Sequence, residues 1–201
     1  MGTMRIVGGK YKGRLLRTLR GQDVRPTSDR LRETLFNVLA PRIEGTRFLD
    51  LCAGSGAVGI EALSRGSTRI TLVERSRPAC SVIRGNLESL GIGGDEADVV
   101  CSDAVQALKR LAQMGSQFDI VFFDPPYASG IYDTVLALIA TEQLLADNGI
   151  VVVEHRAKTP PMSEFPGIEM YRQIKQGESA LTFMRRKPDG GRRLSEGGQS
   201  T

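Results

Sequence analysis

The sequence holds a single histidine, His155, and three cysteines, Cys52, Cys80 and Cys101, in 201 residues. One imidazole and three scattered thiols do not make a tetrahedral ligand set, so no metal site is expected. An odd, widely spaced cysteine count gives no disulfide framework and fits a reducing cytoplasm. Long apolar runs are missing too: a stretch such as Gly149 to Val153 suits a buried strand and falls far short of a bilayer span. Nor does the N-terminus carry the apolar stretch of a secretory signal, so export is not expected.

What is present is a chain 40% hydrophobic and 25% charged, the balance of one soluble α/β domain with a substantial core. The net charge of +4 conceals a polarity along the chain. Residues 1–47 carry 11 Lys+Arg against 4 Asp+Glu, and the remainder carries 16 against 19. A basic N-terminal segment on a mildly acidic body points to a polyanion met from one side, although a solvated charged surface gives the same count. Three regions follow: a basic extension over 1–45, a body over 46–186, and a tail over 187–201. The tail, rich in Gly, Arg and Ser, is expected to be disordered.

In the extension, Met4–Val7 and Arg14–Leu16 suggest two small strands joined by the basic turn Gly8–Gly13. Pro26 disfavours helix at Arg25, and Thr27 and Ser28 can cap a helix predicted over Asp29–Ala40. Leu31, Leu35, Val38 and Leu39 share one face of that helix; Arg30, Glu33, Thr34 and Asn37 share the other. After Gly45, strands at Arg47–Leu51, Arg69–Glu74, Ala97–Cys101, Asp119–Phe123 and Gly149–Glu154 alternate with helices near Gly56–Ser64, Arg77–Leu90, Ala104–Gln113 and Tyr132–Leu145. Gly66, Gly91 and Gly115 close three of the helices. Such alternation predicts a mostly parallel sheet covered on both faces. The end differs: Ile168–Ile174 and Ser179–Arg185, split only by residues 175–178, predict an antiparallel hairpin.

Four motifs carry chemistry. The run Phe48 to Gly59 takes a buried strand through a glycine-rich turn into a helix, where small residues let backbone amides approach a nucleotide-like ligand. Glu74, at the tip of the next strand, can accept both hydroxyl protons of a ribose, or simply be solvated. Asp103, after the third strand, can accept an adenine amino proton, cap the following helix, or do both. Asp124-Pro125-Pro126-Tyr127 ends the fourth strand. Two prolines forbid helix and ladder donation, so the chain leaves the sheet in a stiff turn. That turn presents a carboxylate, a carbonyl and an aromatic face together. An exocyclic amine on a base is a poor nucleophile because its lone pair is delocalised; two acceptors on its N–H bonds favour a pyramidal nitrogen, and Tyr127 can stack on the base. Cys52 reads as a small apolar filler, and His155 either approaches the site mouth or caps a strand end.

Asp50-Leu51-Cys52-Ala53-Gly54-Ser55-Gly56 together with Asp124-Pro125-Pro126-Tyr127 resembles the class I amino-methyltransferases that modify adenine N6, guanine N2 or glutamine N5. Met4-Arg5-Ile6-Val7-Gly8-Gly9-Lys10 and the run Arg25 to Asn37 (RPTSDRLRETLFN) are similar to the RsmD family, over about Met4 to Arg186. The resemblance implies an α/β, Rossmann-like class I S-adenosylmethionine-dependent methyltransferase: a mostly parallel seven-stranded sheet with a C-terminal antiparallel hairpin, behind a basic extension. It implies methyl transfer from S-adenosyl-L-methionine to N2 of a guanine in 16S rRNA. The setting would be a small-subunit assembly particle, and the enzyme a cytoplasmic monomer with no membrane partner. By the same resemblance, Asp50, Ala53, Gly54, Ser55 and Gly56 face the methionine part of the cofactor. Glu74 holds the ribose, and Asp103 with Ala104 the adenine. Asp124, Pro125, Pro126 and Tyr127 grip the base, and Lys10, Lys12, Arg14, Arg25, Thr27, Arg30 and Arg32 contact RNA. Three residues precede Met4 and the tail is long for the pattern. Since N2 lies on the paired edge, the target must be exposed or flipped.

Three rivals remain. An NAD(P)-dependent oxidoreductase would use Gly54, Gly56, Gly59 and Glu74 but leaves the proline turn and closing hairpin unexplained. An adenine-N6 methyltransferase shares the Asp-Pro-Pro-Tyr turn, though a DNA-reading domain is missing. A non-catalytic RNA-binding assembly factor would need a decayed cofactor site, whereas each expected position holds a chemically competent residue.

Overall fold

The computed structural model describes residues 2–19, 29–126, 130–161 and 164–187. The chain opens with β1 (Gly2–Arg5) and β2 (Leu15–Thr18), an antiparallel pair separate from the main sheet, and continues into α1 (Asp29–Leu39). Next come β3 (Arg47–Leu51), α2 (Ala57–Ser64), β4 (Arg69–Glu74), α3 (Arg77–Leu90), β5 (Ala97–Cys101) and α4 (Ala104–Gln113). They are followed by β6 (Phe118–Phe123), α5 (Tyr132–Thr141), β7 (Leu145–Arg156), β8 (Glu164–Phe165), β9 (Ile168–Gln176) and β10 (Ser179–Arg186).

The main sheet has the order β5-β4-β3-β6-β7-β10-β9-β8. β3 to β7 pair in parallel, while β10 runs antiparallel between β7 and β9. This is the predicted parallel sheet with a closing hairpin, lengthened by the two-residue edge strand β8. After β3 the chain moves one way to β4 and β5, then crosses back to β6 on the other side. The strand order therefore reverses between β3 and β6, and a crevice opens beyond their carboxyl ends, where ligands of such sheets sit.

Strand alternation sends each sheet face to its own core. Phe48, Ile70, Leu72, Ile120, Phe122 and Val152 pack with Leu35 and Phe36 of α1, Ile60 of α2 and Ile83 of α3. Leu49, Leu51, Val73, Val121, Phe123 and Val153 pack with Leu108 of α4 and Leu136 of α5. Strands buried on both faces read as continuous apolar runs, as these do. Asp50 lies between Leu49 and Leu51 and points to the α2 face, a carboxylate among hydrocarbon. Local signals end the helices. Ser76 caps α3 by accepting the Ala79 N–H, Gly91 closes it in the left-handed conformation, and Asp103 caps α4 through the Gln106 N–H at 3.0 Å.

Several boundaries differ from the sequence reading, most by one or two residues, and the larger differences have a physical cause. The N-terminal strands are Gly2–Arg5 and Leu15–Thr18 because the Val7 and Gly8 amides turn inward to the Glu61 carboxylate instead of a strand partner. Gly56 precedes α2, its φ of 78° lying outside the helical region. α5 stops at Thr141 because Gln143 takes φ 53°, and the buried Leu144 and Leu145 belong to the approach and start of β7. β7 thus begins at Leu145, with an irregular register opposite Phe118 to Ile120. Val38 is half-buried, and Arg32 takes the inward position beside Leu31, Leu35, Phe36 and Leu39. The expected disorder of the tail falls on residues 188–201, outside the described residues, apart from Lys187. Among the described residues no helix is long and apolar enough to cross a membrane.

Candidate active site

The glycine turn leaves β3 through Cys52, whose φ of 66° is rare for a residue with a side chain. The Ala53 N–H, donated to the Val73 carbonyl at 2.9 Å, and the Gly56 N–H, donated to the Ala53 carbonyl at 2.7 Å, hold this bend. Gly54 also has positive φ, and a side chain there would meet nothing within 4 Å, so the turn borders open space. Gly59 needs its hydrogen for another reason: a side chain would run into Leu72 and Asp50. That close approach lets the Gly59 N–H donate to Asp50 Oδ2 at 2.9 Å. Asp50 is 2% exposed, and burial pushes its carboxyl up to about 7. The Gly59 hydrogen bond pulls the other way and the charge of Glu74 adds to the rise. Cys52 is pushed up to about 12 by burial and by the Glu74, Asp124 and Asp50 carboxylates, so it stays a thiol and is no nucleophile.

Glu74 reaches back to the turn. One oxygen accepts the Gly54 N–H at 2.9 Å and the other the Ser76 N–H at 2.8 Å. A carboxylate offers about four acceptor sites, so a ribose diol can be held in addition to these two donors. Asp103 follows β5, which pairs with β4 so that Glu74 stands opposite Cys101. Its capping bond uses Oδ1 alone, so one side chain can cap α4 and still accept from a ligand. Ala104 opens α4 with its methyl buried.

The proline corner adjoins this crevice. Leu51 stands opposite Phe123 in the parallel ladder, and the Asp124 N–H donates to the Leu51 carbonyl at 3.3 Å. Asp124 is half-buried, Pro125 buried and Pro126 exposed, so the corner starts inside the crevice and emerges at its rim. Tyr127 lies outside the described residues. Tyr132, at the start of α5, stacks edge-on against Phe123 at 5.6 Å between ring centres and buttresses the corner from below.

The basic extension lies on the α2 and α3 side. Lys10, Lys12, Arg14 and Arg30 are exposed, joined by Arg5 and Arg17. A groove of about 620 Å³ runs between the Arg5–Gly13 turn and α1, bordered by Arg5, Lys12, Arg30 and Glu33. Arg25 and Thr27 lie outside the described residues. Arg32 is a correction: 1% exposed, it donates to the Arg5 carbonyl at 2.7 Å and to Asp29 at 2.9 Å, and lies 3.7 Å from Glu61. A buried guanidinium held by the Arg5 carbonyl and Asp29 does not reach a phosphate. Glu61, fully buried on α2, also accepts from the Val7 and Gly8 amides and from Arg65. Sequence reasoning passed over Glu61 and Asn86. The signal was available: an acid in the otherwise apolar helix Ala57–Ser64, and an amide on the α3 stripe of Ala79, Cys80, Ile83 and Leu87. His155 is buried, bonded to the Arg156 carbonyl at 2.7 Å and the Thr182 hydroxyl at 2.8 Å, which ties β7 to β10 and gives it no site role. No cluster of His, Cys, Asp or Glu among the described residues is arranged to hold a metal.

Comparison with known proteins agrees with this architecture. The family model described as Conserved hypothetical protein 95 matches residues 4–185. Ribosomal RNA small subunit methyltransferase D of Escherichia coli (strain K12) is 38% identical over 189 residues, covering 94% of this chain and 93% of its own length. The solved structure of the Escherichia coli protein yhhF superposes with a TM-score of 0.81 at 36% identity, over 93% of this chain and 99% of that one. SMU.776, solved in complex with SAH, reaches a TM-score of 0.62 over 77% of this chain and 49% of its own; at 15% identity that likeness is one of fold alone. With a family match over residues 4–185 and a relative this similar over more than nine-tenths of both chains, the chain belongs to the RsmD family of methyltransferases.

Proposed function

We propose that this chain methylates ribosomal RNA of the small subunit, transferring a methyl group from S-adenosyl-L-methionine to the exocyclic N2 of a guanine. The observation that carries the reading is the junction of the two motifs: Asp124 donates its backbone N–H to Leu51, the residue that enters the glycine turn. A base held at the proline corner is thereby adjacent to a cofactor held at the turn. An oxidoreductase has no use for that corner.

The residues present fit the cofactor. Glu74 takes the ribose diol, Asp103 the adenine, and the open-sided Gly54 turn with Asp50 the methionine end. S-adenosylmethionine supplies an electrophilic methyl on a sulfonium, so the chain's own work is positioning. The Asp124 carboxylate and the Pro125 carbonyl accept hydrogen bonds from the two amine N–H groups, which localises the nitrogen lone pair. Asp124, half-buried at the mouth, then accepts the proton that the alkylated nitrogen sheds and passes it to solvent. Tyr127 stacks on the base, and Lys10, Lys12, Arg14, Arg25, Thr27 and Arg30 dock the RNA backbone of an assembling particle.

Mass mapping of small-subunit RNA from cells lacking the gene tests this. One guanine N2 methyl is expected to vanish and to return when the purified chain acts on undermethylated particles. A lost methyl on adenine N6 would move the reading to the alternative base, and an unchanged map would refute it.

A further inference from the structure

Asn86 ties the N-terminal extension to the glycine turn. It lies on the buried stripe of α3 and is 1% exposed. Its Oδ1 accepts the Arg17 N–H at 2.8 Å, and its Nδ2 donates to the Arg17 carbonyl and to the Ser55 carbonyl, both at 3.0 Å. A side-chain amide has two N–H donors and one carbonyl. Here all are spent on two segments: the outer strand β2 and the bend that borders the cofactor crevice. Two further contacts run beside it. Met4 Sδ lies 3.6 Å from Ser55 Oγ, and Arg14 donates to the Ser89 carbonyl on α3 at 2.8 Å. Leaving a buried amide unpaired is unfavourable, so β2 and the turn move together or lose these bonds.

We propose that Asn86 is a positioning residue through which RNA docking on the extension and cofactor binding at the glycine turn become cooperative. The inference rests on the proposed function, in which the exposed cations of the extension meet RNA. RNA held by Lys10, Lys12 and Arg14 fixes β2, Arg17 fixes Asn86, and Asn86 fixes the Ser55 carbonyl. The ordering cost of the turn is then met once for both ligands. Such coupling is reciprocal: each ligand must tighten the other by the same factor.

Calorimetry on the full chain with S-adenosylhomocysteine, with and without undermethylated small-subunit particles, measures that factor. It is expected to lie within the usual range of about 5- to 150-fold and to match the gain in particle affinity caused by the cofactor product. Asn86→Asp keeps the acceptor for Arg17 and removes both donors, so the factor should collapse toward one; Asn86→Ser serves should that variant not fold. A purely structural asparagine would weaken folding and both affinities while leaving the factor intact. Hydrogen exchange on the unaltered protein needs neither variant nor RNA: S-adenosylhomocysteine should slow exchange of the Arg17 amide. An unchanged factor in a folded variant, or an Arg17 amide indifferent to the ligand, overturns the proposal. Particles that neither bind nor become methylated would refute the RNA reading, while the exchange experiment would still judge the link from turn to strand.

Discussion

Replacing Asp50 by asparagine separates what this carboxylate does for the fold from what it does for the cofactor. The asparagine Oδ1 can accept the same Gly59 N–H, so the substitution removes a buried charge and keeps the bond. Burial raises the folded carboxyl from 3.8 to about 7. A folded group that keeps its proton to higher pH than the unfolded one contributes stability below its unfolded value and loses it as pH rises through the folded value. Each unit is worth about 1.4 kcal/mol, so ionising Asp50 costs the native state about 4 kcal/mol at pH 8 and less than half of that at pH 5. The uncharged amide bears no such cost. Urea denaturation should find Asp50→Asn more stable than the parent at pH 8, with the advantage shrinking by about 2–3 kcal/mol at pH 5. Cofactor affinity should fall in the same variant. In the parent, binding of the cationic cofactor should expel a proton near pH 6.5, visible as buffer-dependent heats of binding. An advantage that is flat with pH, or a variant less stable at pH 8, refutes the assignment of a strained carboxyl to this position.

Asp124→Ala removes a charged acceptor at the reacting amine and should lower kcat by about 100-fold or more, with cofactor affinity nearly unchanged in calorimetry. Arg32→Ala leaves Glu61 buried with one cation fewer and should destabilise the fold by about 3 kcal/mol in chemical denaturation; a loss below about 1 kcal/mol would class the pair with surface ion pairs. Particle affinity should fall with salt by a log–log slope of about −0.7 per phosphate neutralised, and charge reversal at Lys12 and Arg14 together should flatten it. A salt-independent affinity would remove the extension from the docking surface.

The parallel sheet, its closing hairpin, the glycine turn and the proline corner were legible because each is written in consecutive residues. The Asp124–Leu51 junction follows from the strand order once β3 and β6 are neighbours. Arg32 was not legible in that way. Its spacing from Phe36 and Leu39 places it on the inward face, but charge argued for solvent, and the partner that makes burial tolerable, Glu61, is distant in sequence. Asn86 escaped for the same reason: its partners, Arg17 and Ser55, lie in segments joined to α3 only by the fold. The end of α5 was misplaced because Leu144 and Leu145 continue a helical apolar pattern, whereas a left-handed Gln143 diverts them into a strand.

The two outer margins of the sheet have a bearing on solubility. An unpaired strand invites a second molecule to add to it, and proteins avoid this by keeping such strands short or charged. On one side β8 contributes only two residues. On the other, β5 is five residues long and carries Asp98, engaged by Arg69 of β4 at 2.8 Å. Neither flank offers a long, flat, apolar template, so molecules crowded together have little to zip onto, and fibrous association should be slow even at high concentration.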